Sequence, residues 1–569
     1  MKTTRRDIFK FVGGSALGAL FTPVPWRLIT DTALWSENWP GIPQPVSGEI
    51  HTKLTRCSLC PAGCAVRARC VGEQPVSLAG AAAPLCVFGL VGHHLPYHPA
   101  RLKRGPVDEA AAAVAEALAK CGAEERIAVL DLRPGRTASW TYRRAMAAVP
   151  NGVYVAPRQT TVAVNLAAAK TVLSLGAPLF DGWGTPSNVI AAREHFRLIH
   201  AEALESQTAV MADVWLPVDP GPLAGEIARA LKGESADAET TALARELRDN
   251  GPALVVDREM SAEVLELNRL LASFGRTVVA APETPVPESW KKAAPVTDLS
   301  AVTDHSIRVL LIDESVPGGY VPWPQIARKL SADPLVVAFG WSRLGYGRHA
   351  QYALPTAVYP EAIDDIPAAI DSVAATFRIS VPLVPAPAGV VSPAEFIARL
   401  AGLQVGDALR ERADAIHKTG QGTIRSSAVR GMKADEFWKA LNGGGEWTWD
   451  KPPGPPKVMR AAPDVRSDNL PLHIAVCGGG PALASPLMSK VYQESNLRLA
   501  PNYVGLHPSD ARACGIEDGG RAILQTGDGQ VAVRVVAEVG IRPGVVQVAA
   551  SPEVLDVCGG CSSAKVVPA

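Results

Sequence analysis

The chemistry of this chain starts with Cys57-Ser-Leu-Cys60-Pro-Ala-Gly-Cys64 and a fourth cysteine, Cys86. The spacing is C-x2-C-x3-C-x21-C. Three thiolates on one tight loop can face one another, and a fourth from a later segment closes a four-sulfur cage. Soft thiolates in this number suit an iron–sulfur cube. On the cysteines alone two other readings stay open: a structural zinc site with four thiolates, or two disulfides.

The start of the chain favours the first. Thr4-Arg5-Arg6-Asp7-Ile8-Phe9-Lys10 precedes an apolar run from Phe11 to Phe21. Paired arginines before a short, glycine-containing apolar segment are similar to a twin-arginine export signal. That route carries folded proteins, which suits a cofactor inserted in the cytoplasm. The expectation is a periplasmic protein, attached to a membrane through partners or through an uncleaved N-terminal segment. No clean small-x-small cleavage site follows the apolar run, so the segment can stay on as a tether.

Composition narrows the rest. The chain has 569 residues, 47% hydrophobic and 20% charged, with formal net charge +0. It is long enough for several domains and large cores. The balanced charge gives no nucleic-acid footprint. After residue 30 no uninterrupted apolar run reaches spanning length.

Residues 1–30 read as signal or anchor, and 31–50, rich in Pro and Trp, as an extended leader. Residues 51–104 carry the cysteines, with alternation over Val66 to Val71 and a return over Pro75 to Leu78 predicting a small antiparallel sheet. Short apolar strands then alternate with helices: Arg126–Asp131, Lys170–Gly176, Phe196–Ile199, Ala253–Asp257, Thr277–Ala280, Val309–Asp313 and Leu335–Ala338. This predicts parallel sheets covered on both faces, read as two α/β domains at 105–250 and 251–375. Residues 376–465 look irregular and end in a tryptophan- and proline-rich stretch, which reads as a linker. From 466 to 569 short β runs, with Gly527-Asp528-Gly529 as a hairpin turn, predict a separate β domain.

In this order the elements resemble the molybdopterin oxidoreductase superfamily: formate dehydrogenases and nitrate, polysulfide and dimethyl sulfoxide reductases. The cysteine segment, trailing into Tyr97-His-Pro-Ala-Arg101, is similar to the family's N-terminal 4Fe-4S domain. Lys170 to Pro178 resembles its first nucleotide-fold strand and glycine turn. Thr208 to Gly221, with Ala212-Asp213-Val-Trp-Leu-Pro217, resembles a family signature, and Tyr352-Ala-Leu-Pro355 with Glu361 resembles its second copy. His507 to Ala511, Gly515 to Gly519 and Ile541 to Val546 resemble the C-terminal barrel. The resemblance implies an α/β fold: a small β iron–sulfur domain, two Rossmann-like parallel-sheet halves and a six-stranded double-psi β-barrel. It also implies that Cys57, Cys60, Cys64 and Cys86 hold a 4Fe-4S cluster.

The departures from the family all bear on the pterin. The family's C-x-K-G at the fourth cysteine reads Cys86-Val-Phe88-Gly89, so a charged donor is missing. Leu204 stands where an arginine would meet phosphate. Leu223 stands where an aspartate would meet guanine. Between the cluster domain and Lys170 too few residues remain for a substrate-funnel domain, and Cys121 there reads as packing. Such losses remove contacts that a large buried anion needs. The expectation is a degenerate member that keeps the cube and lacks molybdopterin. Its counterparts are subunits of the menaquinone reductase complex and of alternative complex III.

The expected role is electron transfer and scaffolding in a quinone-linked complex. Its partners would be another iron–sulfur subunit, a multihaem cytochrome c and a membrane quinone-binding subunit. An active molybdenum enzyme acting on a small oxyanion or sulfur compound, and a structural subunit whose cysteines bind zinc or nothing, stand as alternatives. His93, His94 and His98 read as loop histidines capping backbone or facing solvent. Cys558-Gly-Gly-Cys561 reads as an incidental pair rather than a redox motif.

Overall fold

The computed structural model describes residues 48–98, 100–157, 160–450, 456, 470–477, 502–549 and 551–569. The segment read as an export signal, most of the stretch read as a leader, and Gly478-Gly479-Gly480 lie outside the described residues. The chain forms two compact units, Met1–His51 with Cys70–Gln74, and Thr52–Arg69 with Pro75–Ala569. The sites described below belong to the second. Among the described residues no helix is long and apolar enough to cross a membrane.

Strands Ile50–Arg56, Ala65–Val71 and Gln74–Gly80 form a three-stranded sheet in that order. In the middle strand Val66, Ala68 and Cys70 are buried while Arg67 and Arg69 are exposed. That is the period-two pattern expected of one covered face.

Two parallel sheets follow. One has the order Val296–Thr297, Gly152–Val155, Arg126–Asp131, Ile307–Asp313, Leu330–Gly340 and Tyr352–Pro355. The other has the order Ala253–Val256, Thr171–Leu175, Arg197–Ala201 and Val214–Leu216. The strands Arg126–Asp131, Thr171–Leu175 and Ala253–Val256 are buried along nearly their whole length, as expected where helices cover both faces. Helix Pro220–Lys232 shows the local logic. Asp219 caps it through the Gly221 N–H at 3.0 Å, proline sits in its first turn, and Gly233 ends it at φ +82. It buries Ala224, Ile227 and Leu231, at helical spacing.

The strand order corrects the expected boundary between 105–250 and 251–375. Arg126–Asp131 and Gly152–Val155 join strands beyond residue 295, while Ala253–Val256 joins Thr171–Leu175. The second sheet is therefore inserted into the first. Thr277–Ala280 likewise contributes an antiparallel strand, Val278–Ala280 on Val162–Val164, not a parallel one. Strand–helix alternation gives the element type but not which sheet a strand joins, and a crossover can lead to either.

The expected linker at 376–465 is folded over most of its described length. Helices Pro393–Leu400, Ala408–Lys418 and Ala434–Asn442 accompany a five-stranded antiparallel sheet built around Ala375–Ser380 and Glu446–Trp449. Phe377, Ile379, Ile416, Phe437, Leu441 and Trp447 form its core. Strands of two residues, such as Thr423–Ile424, are too short to show a period. The C-terminal strands close a six-stranded barrel in the order Leu472–Cys477, Val545–Ala549, Tyr503–Leu506, Gly529–Ala537, Arg521–Thr526 and Ser563–Pro568. The Gly527-Asp528 turn joins Arg521–Thr526 to Gly529–Ala537 as a hairpin.

In the first sheet, Asp131 and Asp313 end adjacent parallel strands and are paired in register. Strand order diverges on either side of this pair, so it marks the switch point where α/β sheets form ligand crevices. Here the chain's own charges fill it. Arg136 reaches Asp313 at 2.5 Å, Asp364 at 2.7 Å and Asp131 at 3.5 Å. Tyr154 and Ser139 donate to Asp131 at 2.8 and 2.6 Å, and Tyr142 donates to Asp313 at 2.8 Å. Burial raises the pKa of the Asp131 carboxyl, against the pull of Arg136. The Arg136→Met variant leaves these carboxylates without their buried cation, and it should lose about 3–5 kcal/mol at neutral pH. Its carboxyl pKa values then rise above those of the unfolded chain. The variant's deficit should therefore shrink below about pH 4, and grow as pH rises through the elevated values. Urea melts of both proteins at pH 4 and pH 8 measure this.

Candidate functional site

Cys57 follows the first strand of the small sheet and Cys64 precedes the second. The loop between them is closed by the Cys57 N–H donating to the Cys64 carbonyl at 2.9 Å, and by the Gly63 N–H donating to the Cys60 carbonyl at 3.3 Å. Cys57 and Cys60 are buried, Cys64 is half-buried and Cys86 is exposed. Cys86 caps the short helix Val87–Val91. Burial first, and then neighbouring thiols including Cys86, raise the pKa values of Cys57, Cys60 and Cys64. Among the described residues no three His, Cys, Asp or Glu side chains are gathered as a site for a single metal ion.

Three arginines hold this loop. Arg56 donates to the Gly63 carbonyl at 3.0 Å, Arg133 to that of Ser58, and Arg378 to that of Pro61. Arg56 and Arg378 share Glu446 at 3.1 and 3.4 Å. Gly63, at φ +57, serves twice. It supplies the left-handed turn, and a Cβ there would meet the Arg378 Nε at 2.5 Å. Burial, then the nearby Cys60 thiol, push the Cys64 pKa up to about 12. Burial also raises Cys60, and Arg133 opposes that rise. Burial lowers the Arg133 pKa to about 10, which leaves it cationic at neutral pH. The donor set is thus four thiols, three of which interact with fixed positive charge. It fits an anionic iron–sulfur cluster ligated through Cys57, Cys60, Cys64 and Cys86.

Spacing reasoning missed the arginines. Arg133 lies beyond a strand end, and Arg378 lies in the stretch read as linker. The one sequence hint was Arg101 and Glu361, which meet as a buried ion pair at 2.5 Å. Cys64 also borders a cavity of about 360 Å³ lined by Arg56, Asn188, Asp371, Arg378 and Thr448.

The positions that depart from the pterin pattern are occupied by the chain itself. Leu204 is buried against Ala203, Ile541 and Val545 of the barrel segment. The Arg542 N–H donates to the Ala203 carbonyl, and the Glu205 N–H to the Gly540 carbonyl, both at 3.3 Å. At the start of helix Pro186–Arg193, the Asp371 carboxylate accepts the Thr185 N–H at 2.9 Å. An anion of the chain therefore sits at a helix start, where a bound phosphate often sits. Leu223 packs on the adjacent core. Phe88 is half-buried on the Cys86 helix.

The remaining candidates are structural. Ser139 donates to Asp131, and Ser174 binds His200 at 2.9 Å. His98 accepts the Ala100 N–H at 3.1 Å and stacks edge-on to Trp341. Cys121 packs on a core cluster. Cys558 and Cys561 are buried in the barrel and not bonded to each other. Burial, then Cys561, push the Cys558 pKa up to about 12, the opposite of a reactive thiolate.

Residues 488–564 match the family described as Molydopterin dinucleotide binding domain. With the parallel sheets and closed barrel, this match supports the resemblance of the chain to the molybdopterin oxidoreductase superfamily. It is similar to the menaquinone reductase, molybdopterin-binding-like subunit, of Nitratidesulfovibrio vulgaris. The two are 24% identical over 94% of this chain and 91% of the relative. Among solved structures it is similar in fold to acetylene hydratase from Pelobacter acetylenicus. That match has a TM-score of 0.66 and 14% identity, over 87% of this chain and 92% of the other.

The Leu204 contact yields a direct test. In Leu204→Arg the guanidinium enters an apolar contact with Ala203, Ile541 and Val545, and the protein should lose about 3 kcal/mol of stability. A bound phosphate at that position would make the change neutral or stabilising. Thermal melts of the two proteins distinguish the outcomes.

Proposed function

We propose that this chain is a periplasmic electron-transfer and scaffold subunit of a membrane-associated, quinone-linked oxidoreductase complex. In this reading Cys57, Cys60, Cys64 and Cys86 hold one 4Fe-4S cluster, and no molybdopterin is bound. The observation that carries it is a contrast. The cysteine loop is held by three arginines, while Leu204, which stands where the family resemblance implies a phosphate-binding arginine, is packed against Ile541, and Asp371 accepts the Thr185 N–H at a helix start. When bound, a 4Fe-4S cluster supplies a one-electron relay. The chain's residues contribute its ligands, its compensating charge and its burial.

The quinone link is supported by the Nitratidesulfovibrio relative, a subunit of a menaquinone reductase. The export signal at Arg5-Arg6 supports the periplasmic location. Partners in such a complex would be another iron–sulfur subunit, a multihaem cytochrome c and a membrane quinone-binding subunit. A second reading, an active molybdenum enzyme, is favoured by the dinucleotide-binding match at 488–564.

Elemental analysis of the purified protein separates the readings. About four irons with matching acid-labile sulfide and no molybdenum is the expected result. Molybdenum with extractable pterin would establish the second reading, and zinc or no metal would overturn the cluster. Cys57→Ser, Cys60→Ser, Cys64→Ser and Cys86→Ser should each lose most of the iron. Cys121→Ser and Cys514→Ser should keep it.

A further inference from the structure

Tyr359 lies at the four-cysteine site, and nothing in the sequence marks it. It is 4% exposed, and its hydroxyl has no hydrogen-bond partner among the described residues. A buried hydroxyl left unpaired costs about 1–3 kcal/mol, so such an atom in a well-packed site calls for a ligand. Its ring lies against Gly92, where an added Cβ would come within 2.7 Å of Cε1 and 3.7 Å of Leu59 Cδ1. Leu59 stands inside the cysteine loop, and Gly92 ends the helix that Cys86 begins. The phenol ring thus packs against the end of the helix that Cys86 begins, at a glycine that also lies close to Leu59 of the cysteine loop. Burial first, then the thiols of Cys57, Cys64 and Cys86, raise its pKa well above the ordinary value.

The backbone around it is fixed. The Glu361 N–H donates to the Val358 carbonyl at 2.7 Å, Glu361 is held by Arg101, and the Pro360 carbonyl accepts from Leu383 and Val384 at 2.8 and 3.0 Å.

We propose that the Tyr359 hydroxyl donates its hydrogen bond to a sulfur of the four-cysteine centre and thereby sets that centre's reduction potential. This rests on the reading of the centre as a 4Fe-4S cluster. A donor to sulfur stabilises the more negative, reduced state, so it raises the potential. Tyr359 is a positioning and tuning residue, not a ligand.

The test uses the full-length protein with its cluster. Potentiometric titration of Tyr359→Phe, followed by the EPR signal of the reduced centre, should show a lower potential. At a fixed poise the ratio of reduced to oxidised centre should fall about three- to tenfold, tenfold being 59 mV for a one-electron couple. Resonance Raman bands of the iron–sulfur stretches should lose part of their sensitivity to deuterium oxide in the same variant. Replacing Tyr359 by 3,5-difluorotyrosine keeps the shape and strengthens the donor, so it should move the potential upward. Gly92→Ala, which pushes on the ring, should lower it. Unchanged potentials in iron-replete Tyr359→Phe and difluorotyrosine proteins would overturn the hydrogen bond while leaving the cluster reading intact. An iron-free wild-type protein would overturn both.

Discussion

Three guanidinium groups, from Arg56, Arg133 and Arg378, each bind a carbonyl of one eight-residue loop. The rest of the site depends on that arrangement. It places lasting positive charge where burial would otherwise make four sulfurs repel one another. The arginines come from three separate parts of the fold: the small sheet, the first parallel sheet and the segment after residue 375. The loop's shape is therefore a property of the assembled domain and not of its own sequence.

That dependence explains why the switch-point crevice is closed. Arg133 leaves the strand end that carries Asp131, and its backbone N–H donates to that carboxylate at 3.0 Å. One end of the residue is fixed in the acidic network and the other in the cysteine loop. A sheet that elsewhere would present strand ends to a ligand here presents them to its own arginines. The second sheet behaves alike. The barrel segment around Ile541 and the carboxylate of Asp371 lie where anionic groups could bind.

The cysteine loop was legible because its information is local: four residues at fixed intervals, with a glycine at the turn. The parallel sheets were legible from apolar runs between helices and the C-terminal β domain from its hairpin, while its closure into a barrel was expected only from the family resemblance. What was not legible has one cause. Arg378, Tyr359 and Asp371 act through contacts that join residues far apart in sequence, and no periodicity records such a meeting. Insertion of one sheet into the other is hidden for the same reason. Residues 376–450 were misread because their strands are too short to alternate, although Trp447 at their end is wholly buried.

The insertion also bears on how the chain can assemble. Arg136 and Asp313, partners at the centre of the outer sheet, are 177 residues apart in sequence. Between them lies the whole inner sheet with its helices. The entropy of closing so long a loop grows only slowly with length, but high contact order slows the search. If the inner sheet folds first, its compact body brings Val162–Val164 beside Val278–Ala280. The two ends of the outer sheet are then already neighbours, and the long closure becomes a short one. The antiparallel pair at the root of the insertion is the clasp that makes this order of events possible.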